Sequence, residues 1–235
     1  MQIPAISTQQ MIEVDRLMIE EYGIQLIQMM ENAGRSLAGL SRRMLGGDVR
    51  GKLIAVLCGA GNNGGGGMVA ARHLHNWGAE IMLKVLAPPD QLKDVPTHQR
   101  HILEAMGISN RDTIDLDRVD LVVDAMIGYG LTGDPRGAIA EWITRVNDSR
   151  RPVLALDTPS GLNTTTGSPG NPCLRAAATM TLALPKTGLI SPEASAYVGD
   201  LYLADISVPP QLYASLGIEL SPIFIHDTIL KIQEG

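Results

Sequence analysis

From Gly51 onward, short apolar runs alternate with stretches of helical spacing. Leu53–Cys58, Glu80–Leu86 and Pro152–Asp157 are runs of strand length, as is Asp120-Leu-Val-Val-Asp124. Such runs predict strands buried on both faces. Between them, Met68–Trp77 has helical spacing at Val69, Leu74 and Trp77, and Asp94–Met106 and Ala138–Val146 also read as helices. Strands alternating with helices predict an α/β fold with a mostly parallel sheet. Thr179–Leu184, Leu201–Ala204 and Ile223–Ile225 are later strand candidates. Two helices precede the first strand. Ser7-Thr-Gln-Gln10 reads as a capping box that opens a helix from about Thr8 to Glu21. Gly23 ends it, and a second helix over Ile24–Leu45 closes at Gly46-Gly47. Residues 1–47 thus read as a helical appendage that covers a sheet edge or forms a subunit interface. Asn163–Asn171, rich in Gly, Thr and Ser, reads as a mobile surface loop.

The stretch Gly59-Ala-Gly-Asn-Asn-Gly-Gly-Gly-Gly67 follows the first strand and precedes a helix. It reads as a glycine-rich loop whose main-chain N–H groups and adjoining helix end cradle a phosphate. Gly59-x-Gly61-x-x-Gly64 also fits the dinucleotide pattern, which alone says little. In open α/β sheets ligands bind beyond the carboxyl ends of the strands, where strand order reverses. Three loops stand at such ends: Gly59–Gly67, Asp124–Asp134 and Asp157–Asn163. They carry Asn62, Asn63, Asp124, Asp134, Asp157 and Ser160, a set of oxygen donors suited to a hard cation. A carboxylate at a strand end, as at Asp157, can serve as general acid and base. His98, His101 and Glu104 read as a solvated helix face, and no nucleophile elbow or P-loop is present.

Composition narrows the partners. A length of 235 residues suffices for one domain with a full core. Hydrophobic residues make up 45% and charged residues 19%, as in soluble globular proteins. The net charge of -6 argues against a general binder of nucleic acid or anionic membranes. No apolar run reaches bilayer length, and the first residues lack the pattern of a secretory signal. Cys58 and Cys173 are too few for a disulfide framework, and a reducing, cytoplasmic setting is expected.

Several motifs in one order carry a resemblance. They are Met11–Gly23, Met30-Glu-Asn-Ala-Gly34, Cys58-Gly-Ala-Gly-Asn-Asn-Gly-Gly65 and Val69-Ala-Ala-Arg-His-Leu74. Val123-Asp-Ala-Met-Ile-Gly128, Asp157-Thr-Pro-Ser-Gly161, Pro185-Lys186 and Tyr202-Leu-Ala-Asp205 follow. Together they resemble the YjeF N-terminal family, the NAD(P)H-hydrate epimerases, along nearly the whole chain. The resemblance implies a single domain over 1–235: a three-layer α/β/α Rossmann-like fold with extra N-terminal helices, commonly dimeric. It implies a potassium ion held by Asn63, Asp124 and Ser160. It places Asn62, Asn63, Gly64, Gly65 and Gly66 around a hydrated nicotinamide nucleotide. Gly128, Tyr129, Gly130, Leu131, Thr132, Gly133, Asp134 and Asp157 would complete that surface.

The implied reaction interconverts the R and S hydrates of NADH or NADPH at C6, so that a separate dehydratase can use the S form. Asp157 is the candidate catalytic residue. Two departures stand out. Gly66 occupies the place of an aspartate in the family's G-N-N-G-G-D-G pattern, and Thr132 stands where some members have lysine. The loss of a carboxylate that could bond the nucleotide keeps an alternative open, a non-catalytic nucleotide-binding or protein-interaction module on the same fold. An NAD-dependent oxidoreductase is disfavoured, because no clear ribose-binding acid ends the second strand.

Overall fold

The computed structural model of the chain describes residues 3–232. Two helices come first, α1 (Thr8–Glu20) and α2 (Leu26–Met44). Then follow β1 (Leu53–Cys58), α3 (Asn62–Asn76), β2 (Glu80–Val85), α4 (Asp94–Ala105) and β3 (Leu121–Ala125). The chain continues through α5 (Gly137–Ser149), β4 (Val153–Leu156), β5 (Ala178–Leu182) and α6 (Ser195–Val198). It closes with β6 (Asp200–Ala204), α7 (Pro210–Ser215) and β7 (Ile229–Lys231). The capping box forms as its spacing predicts. Ser7 Oγ accepts from the Gln10 N–H at 3.1 Å, and Gln10 Oε1 accepts from the Ser7 N–H at 2.9 Å.

The strands make one sheet in the order β2-β1-β3-β4-β5-β6-β7. Every neighbouring pair is parallel except β6 and β7. The chain leaves β1 toward one edge with β2 and returns to build the other side from β3. That reversal opens a crevice beyond the carboxyl ends of β1 and β3. Successive β1 residues face different layers. Ile54, Val56 and Cys58 join the larger core with α1–α4, while Ala55 and Leu57 pack with Trp142, Ile143 and Val146 of α5. The result is the expected three-layer α/β/α arrangement.

Four expectations change. The N-terminal helices do more than cover an edge. Met11, Val14 and Met18 of α1 and Met29, Ala33, Leu37 and Leu40 of α2 are buried in the core shared with the sheet. Ile223–Ile225 is not a strand, and Ile225 is strongly exposed. The edge of β6 is taken by β7, whose start is fixed by Asp227 accepting from the Ile229 N–H. Asn163–Asn171 is a hydrogen-bonded turn rather than a free loop. Asn163 accepts from Thr165, Thr166 and Gly167 N–H groups, and Leu162 bridges to Pro169.

The fourth change concerns the glycines. They do not precede the helix but lie inside it, because α3 begins at Asn62 with Gly61 as its cap. A side chain at Gly65 would meet Val95 of α4 at 2.9 Å, and one at Gly66 would meet Leu156 at 2.8 Å. At Gly67 the Cys58 sulfur would lie 3.1 Å away. Four consecutive glycines thus let one helix approach α4, α2 and three strands at close range.

Candidate active site

The amino end of α3 opens into the crevice. Gly65 is the first residue of the helix to bond back, to the Gly61 carbonyl at 3.2 Å. The N–H groups of Asn62, Asn63 and Gly64 have no intrahelical acceptor and lie at the positive end of the helix. Asn63 is held by its own amide, which donates to the Leu156 carbonyl at 3.2 Å. Gly59 has no room for a side chain, because the Met126 carbonyl stands where Cβ would be. Gly64 would likewise drive a Cβ to 2.9 Å from the Gly59 nitrogen. A β-branched residue at Gly64 therefore threatens the fold and not the ligand surface alone, contrary to the expectation for a free loop.

β4 ends at Leu156, and Asp157 turns the chain with φ of 66°. That is left-handed backbone, uncommon for a non-glycine residue and a form of strain found at functional sites. The turn brings the carboxylate beneath Gly128. A Cβ at Gly128 would lie 3.3 Å from both Asp157 Oδ2 and Asn63 Cγ. Glycine there keeps the approach between these two side chains open.

Asp157 is buried and has a partner that the sequence reading did not place in the site. Lys186, completely buried, donates to Asp157 Oδ1 at 2.5 Å, to the Leu182 carbonyl at 3.0 Å and to Thr181 Oγ1 at 3.2 Å. A buried charge without a counter-ion is costly, and this pairing compensates both. The signal in the sequence was a lone lysine in Pro185-Lys186, directly after an apolar strand run. The other carboxylate oxygen, Oδ2, accepts from the Tyr129 main-chain N–H at 3.0 Å. The Tyr129 hydroxyl donates to Asp15 of α1.

Asp124 and Ser160 meet directly. The Ser160 hydroxyl donates to Asp124 Oδ1 at 2.7 Å and its N–H donates to Oδ2 at 2.8 Å. Met126 N–H also donates to Oδ1, and Ile127 N–H donates to the Ser160 oxygen. Asp124 is fully buried and hydrogen-bonded only to neutral donors. Burial pushes its carboxyl up to about 6 against the opposing hydrogen bonds. A buried carboxylate with neutral partners, in a set made of oxygen donors, fits a hard cation. Asn63 is not hydrogen-bonded to this pair; it borders the same crevice through Gly128.

The structure therefore gathers Asn62, Asn63, Gly128, Tyr129 and Asp157, with Asp124 and Ser160 joined at the end of β3. The Gly64 N–H belongs to the same helix end, while the side-chain directions of Gly64, Gly65 and Gly66 are filled by the chain itself. Gly130, Thr132, Gly133 and Asp134 are exposed, Leu131 is half-buried, and Asp134 accepts from the Asn171 N–H at 2.9 Å. The two cysteines lie outside this chemistry, and burial pushes the Cys58 thiol well up.

The profile of the family described as YjeF-related protein N-terminus matches residues 26–188. The chain belongs to the YjeF_N family. It is 40% identical to an NAD(P)H-hydrate epimerase of Dehalogenimonas lykanthroporepellens, over 92% of this chain and 87% of the relative. It is 34% identical to the NAD(P)H-hydrate epimerase of Rhodopirellula baltica, over 93% and 90%. It also matches the bifunctional NAD(P)H-hydrate repair enzyme Nnr of Moorella thermoacetica, 38% identical over 89% of this chain. That match spans 42% of the larger relative. Among solved structures, the yeast protein YNL200c superposes with a TM-score of 0.80 at 23% identity, covering 98% of this chain and all of the other. At that identity the superposition speaks for the fold alone.

Proposed function

We propose that this YjeF_N chain is an epimerase that interconverts the R and S hydrates of NADH or NADPH at C6. One observation carries the reading. The amino end of a helix and a buried Asp157–Lys186 pair meet at the strand-order reversal, in a chain aligned with most of the length of relatives named for that activity. Free N–H groups at Asn62–Gly64 suit a nucleotide phosphate. Asp157 Oδ2 lies next to Gly128, 3.3 Å from where a Cβ would stand, so that only this glycine separates it from the loop surface.

Epimerisation at C6 needs no redox partner. The ring-nitrogen lone pair expels the C6 hydroxyl, C6 becomes planar, and water returns to the other face. One proton must go to the leaving hydroxyl, and one must come off the incoming water. A proton passes from the Lys186 ammonium through Asp157 to the C6 hydroxyl, which leaves as water; Asp157 then takes a proton from the incoming water and returns it to Lys186, so the pair ends as it began and protons balance. A positioned acid–base group contributes about 100-fold to 10,000-fold in rate.

A potassium ion is part of the proposal, with Asn63, Asp124 and Ser160 as the residues that would hold it. Such an ion would offset phosphate charge and order the loops. The departure at Gly66 no longer favours a non-catalytic module, since the position points at Leu156 and Met30 rather than the cleft. A homodimer, a cytoplasmic location and a dehydratase acting on the S product belong to the same reading.

The test is direct. Pure R-hydrate is mixed with the protein, with and without potassium, and the two epimers are separated by chromatography. Rapid equilibration, faster with potassium, is expected, with a loss of 100-fold or more in Asp157→Asn. No acceleration over the uncatalysed rate would overturn the function. A loss below about tenfold in Asp157→Asn would reduce that residue to orienting substrate.

A further inference from the structure

Tyr129 is held at three points, and all of them lead to the N-terminal segment or to Asp157. Its N–H donates to Asp157 Oδ2 at 3.0 Å. Its hydroxyl donates to Asp15 Oδ2 at 2.5 Å. Its carbonyl accepts from the Thr164 hydroxyl at 3.4 Å, and Thr164 Oγ1 shares a hydrogen bond with Thr8 Oγ1 at 2.9 Å. The Lys186 ammonium lies 5.9 Å from the centre of the Tyr129 ring. The chain just before α1 is fastened to the same lysine. Ile6 forms a parallel bridge with Lys186, its N–H donates to the Pro185 carbonyl at 2.8 Å, and its carbonyl accepts from Thr187 N–H at 2.9 Å.

These contacts make one connected unit out of α1, Tyr129 and the ion pair. We propose that Asp15 is a positioning residue of the active site. Acting through the Tyr129 hydroxyl, it fixes the ring of Tyr129 and with it the main-chain N–H that holds Asp157 Oδ2. The inference rests on the epimerase reading of the site. It explains why a helix outside the sheet topology places a half-buried carboxylate beside the crevice. Burial pushes the Asp15 carboxyl up, and the hydrogen bond from Tyr129 works against that shift by favouring the ionised, accepting form. Asp15 touches neither the helix end nor Asp157 by hydrogen bond, so its effect on chemistry must pass through Tyr129.

The role separates an acceptor from a charge and from mere support of the fold. Asp15→Ala and Tyr129→Phe each remove the same hydrogen bond, whereas Asp15→Asn keeps a carbonyl acceptor. The turnover of R-hydrate is measured for each, together with the double variant, and circular dichroism checks that all are folded. Asp15→Ala and Tyr129→Phe are expected to lower kcat by about tenfold to a hundredfold, the scale of a hydrogen bond to a charged group, with KM little changed. The double variant is expected to lose no more than either single one, and Asp15→Asn to recover most of the rate. Additive losses, or a folded Asp15→Ala protein with the natural kcat, would overturn the inference while leaving the epimerase reading intact. A natural protein that does not epimerise the hydrate would overturn both, so the two failures are distinguishable.

Discussion

At the scale of single residues, the proposed chemistry rests on a few positions where backbone or burial is unusual. Asp157 has positive φ and a fully buried cation as partner. Removing either member of such a pair leaves the other uncompensated, at a cost of about 3–5 kcal/mol. Gly66 is the contrasting case. Read as a sequence position, it suggests a carboxylate lost from a ligand loop. In the fold it sits in ordinary helical backbone within α3, with Leu156 at 2.8 Å and Met30 at 3.8 Å from where Cβ would stand. The Leu156 methyl is the end of a flexible side chain and can yield, but a carboxylate there enters an apolar contact. Gly66→Asp is therefore expected to lower stability by about 1–3 kcal/mol. It is not expected to tighten hydrate binding. Urea unfolding and calorimetric titration with the hydrate give the two numbers. A tighter-binding variant of unchanged stability would show that the side chain reaches the nucleotide after all.

At the scale of elements, α2 and α3 explain two sequence motifs that join the helices to each other. Met30-Glu-Asn-Ala-Gly34 lies on α2 and Val69-Ala-Ala-Arg-His-Leu74 on α3. Glu31 accepts from Arg72 and, at 2.9 Å, bonds with the His73 ring. Burial raises the Glu31 carboxyl, yet the bonds with His73 and Arg72 outweigh it and hold the group below its ordinary value. Between these polar contacts the helices touch at Gly34, where a Cβ would come within 2.6 Å of the Gly66 carbonyl. Backbone cannot yield as a side-chain tip does. Gly34→Ala is expected to destabilise the protein by about 1–3 kcal/mol, although alanine is the better helix former. Denaturant midpoints with unchanged slope give the measurement. A variant as stable as the natural protein would mean that the two helices separate without cost.

At the scale of the whole molecule, the first two helices bury most of their apolar residues within the chain itself. The argument for a dimer must therefore rest on what stays exposed. Ile12, Ile19 and Tyr22 remain 45%, 38% and 43% exposed, within or just after α1. Ile12 and Ile19 lie two turns apart on one side of the helix. A homodimer through this stripe is expected to give the mass of two chains by light scattering at micromolar concentration. Placing glutamate at both isoleucines is expected to yield monomers of unchanged fold. A natural protein that is monomeric at every concentration would remove the dimer. Among the described residues, no helix is long and apolar enough to cross a membrane.

Much of this architecture was already legible in the sequence. Unbroken apolar runs announced β1, β3 and β4, because a parallel strand covered on both faces has no polar side to alternate with, whereas β2 at the sheet edge carries Glu80 and Lys84 and is only partly buried. The capping box fixed the start of α1 within a residue. The residues at strand ends identified Asp124, Asp157 and Ser160 as the group to watch. Helix propensity, however, misplaced the start of α3. Each glycine costs roughly 1 kcal/mol against alanine in a helix interior, so four in a row read as loop. Only tertiary packing repays that cost, through neighbours distant in sequence that fit where the side chains are missing. The same limit hid Lys186 and Asp15. Their partners are 29 and 114 residues away, at Asp157 and Tyr129. Periodicity reports which face of an element is buried, but not which buried charge another element brings to meet it. The antiparallel β7 was missed for a related reason. Ile223–Ile225 is the more apolar run, yet pairing at the edge of β6 depends on where the turn at Asp227 delivers the chain.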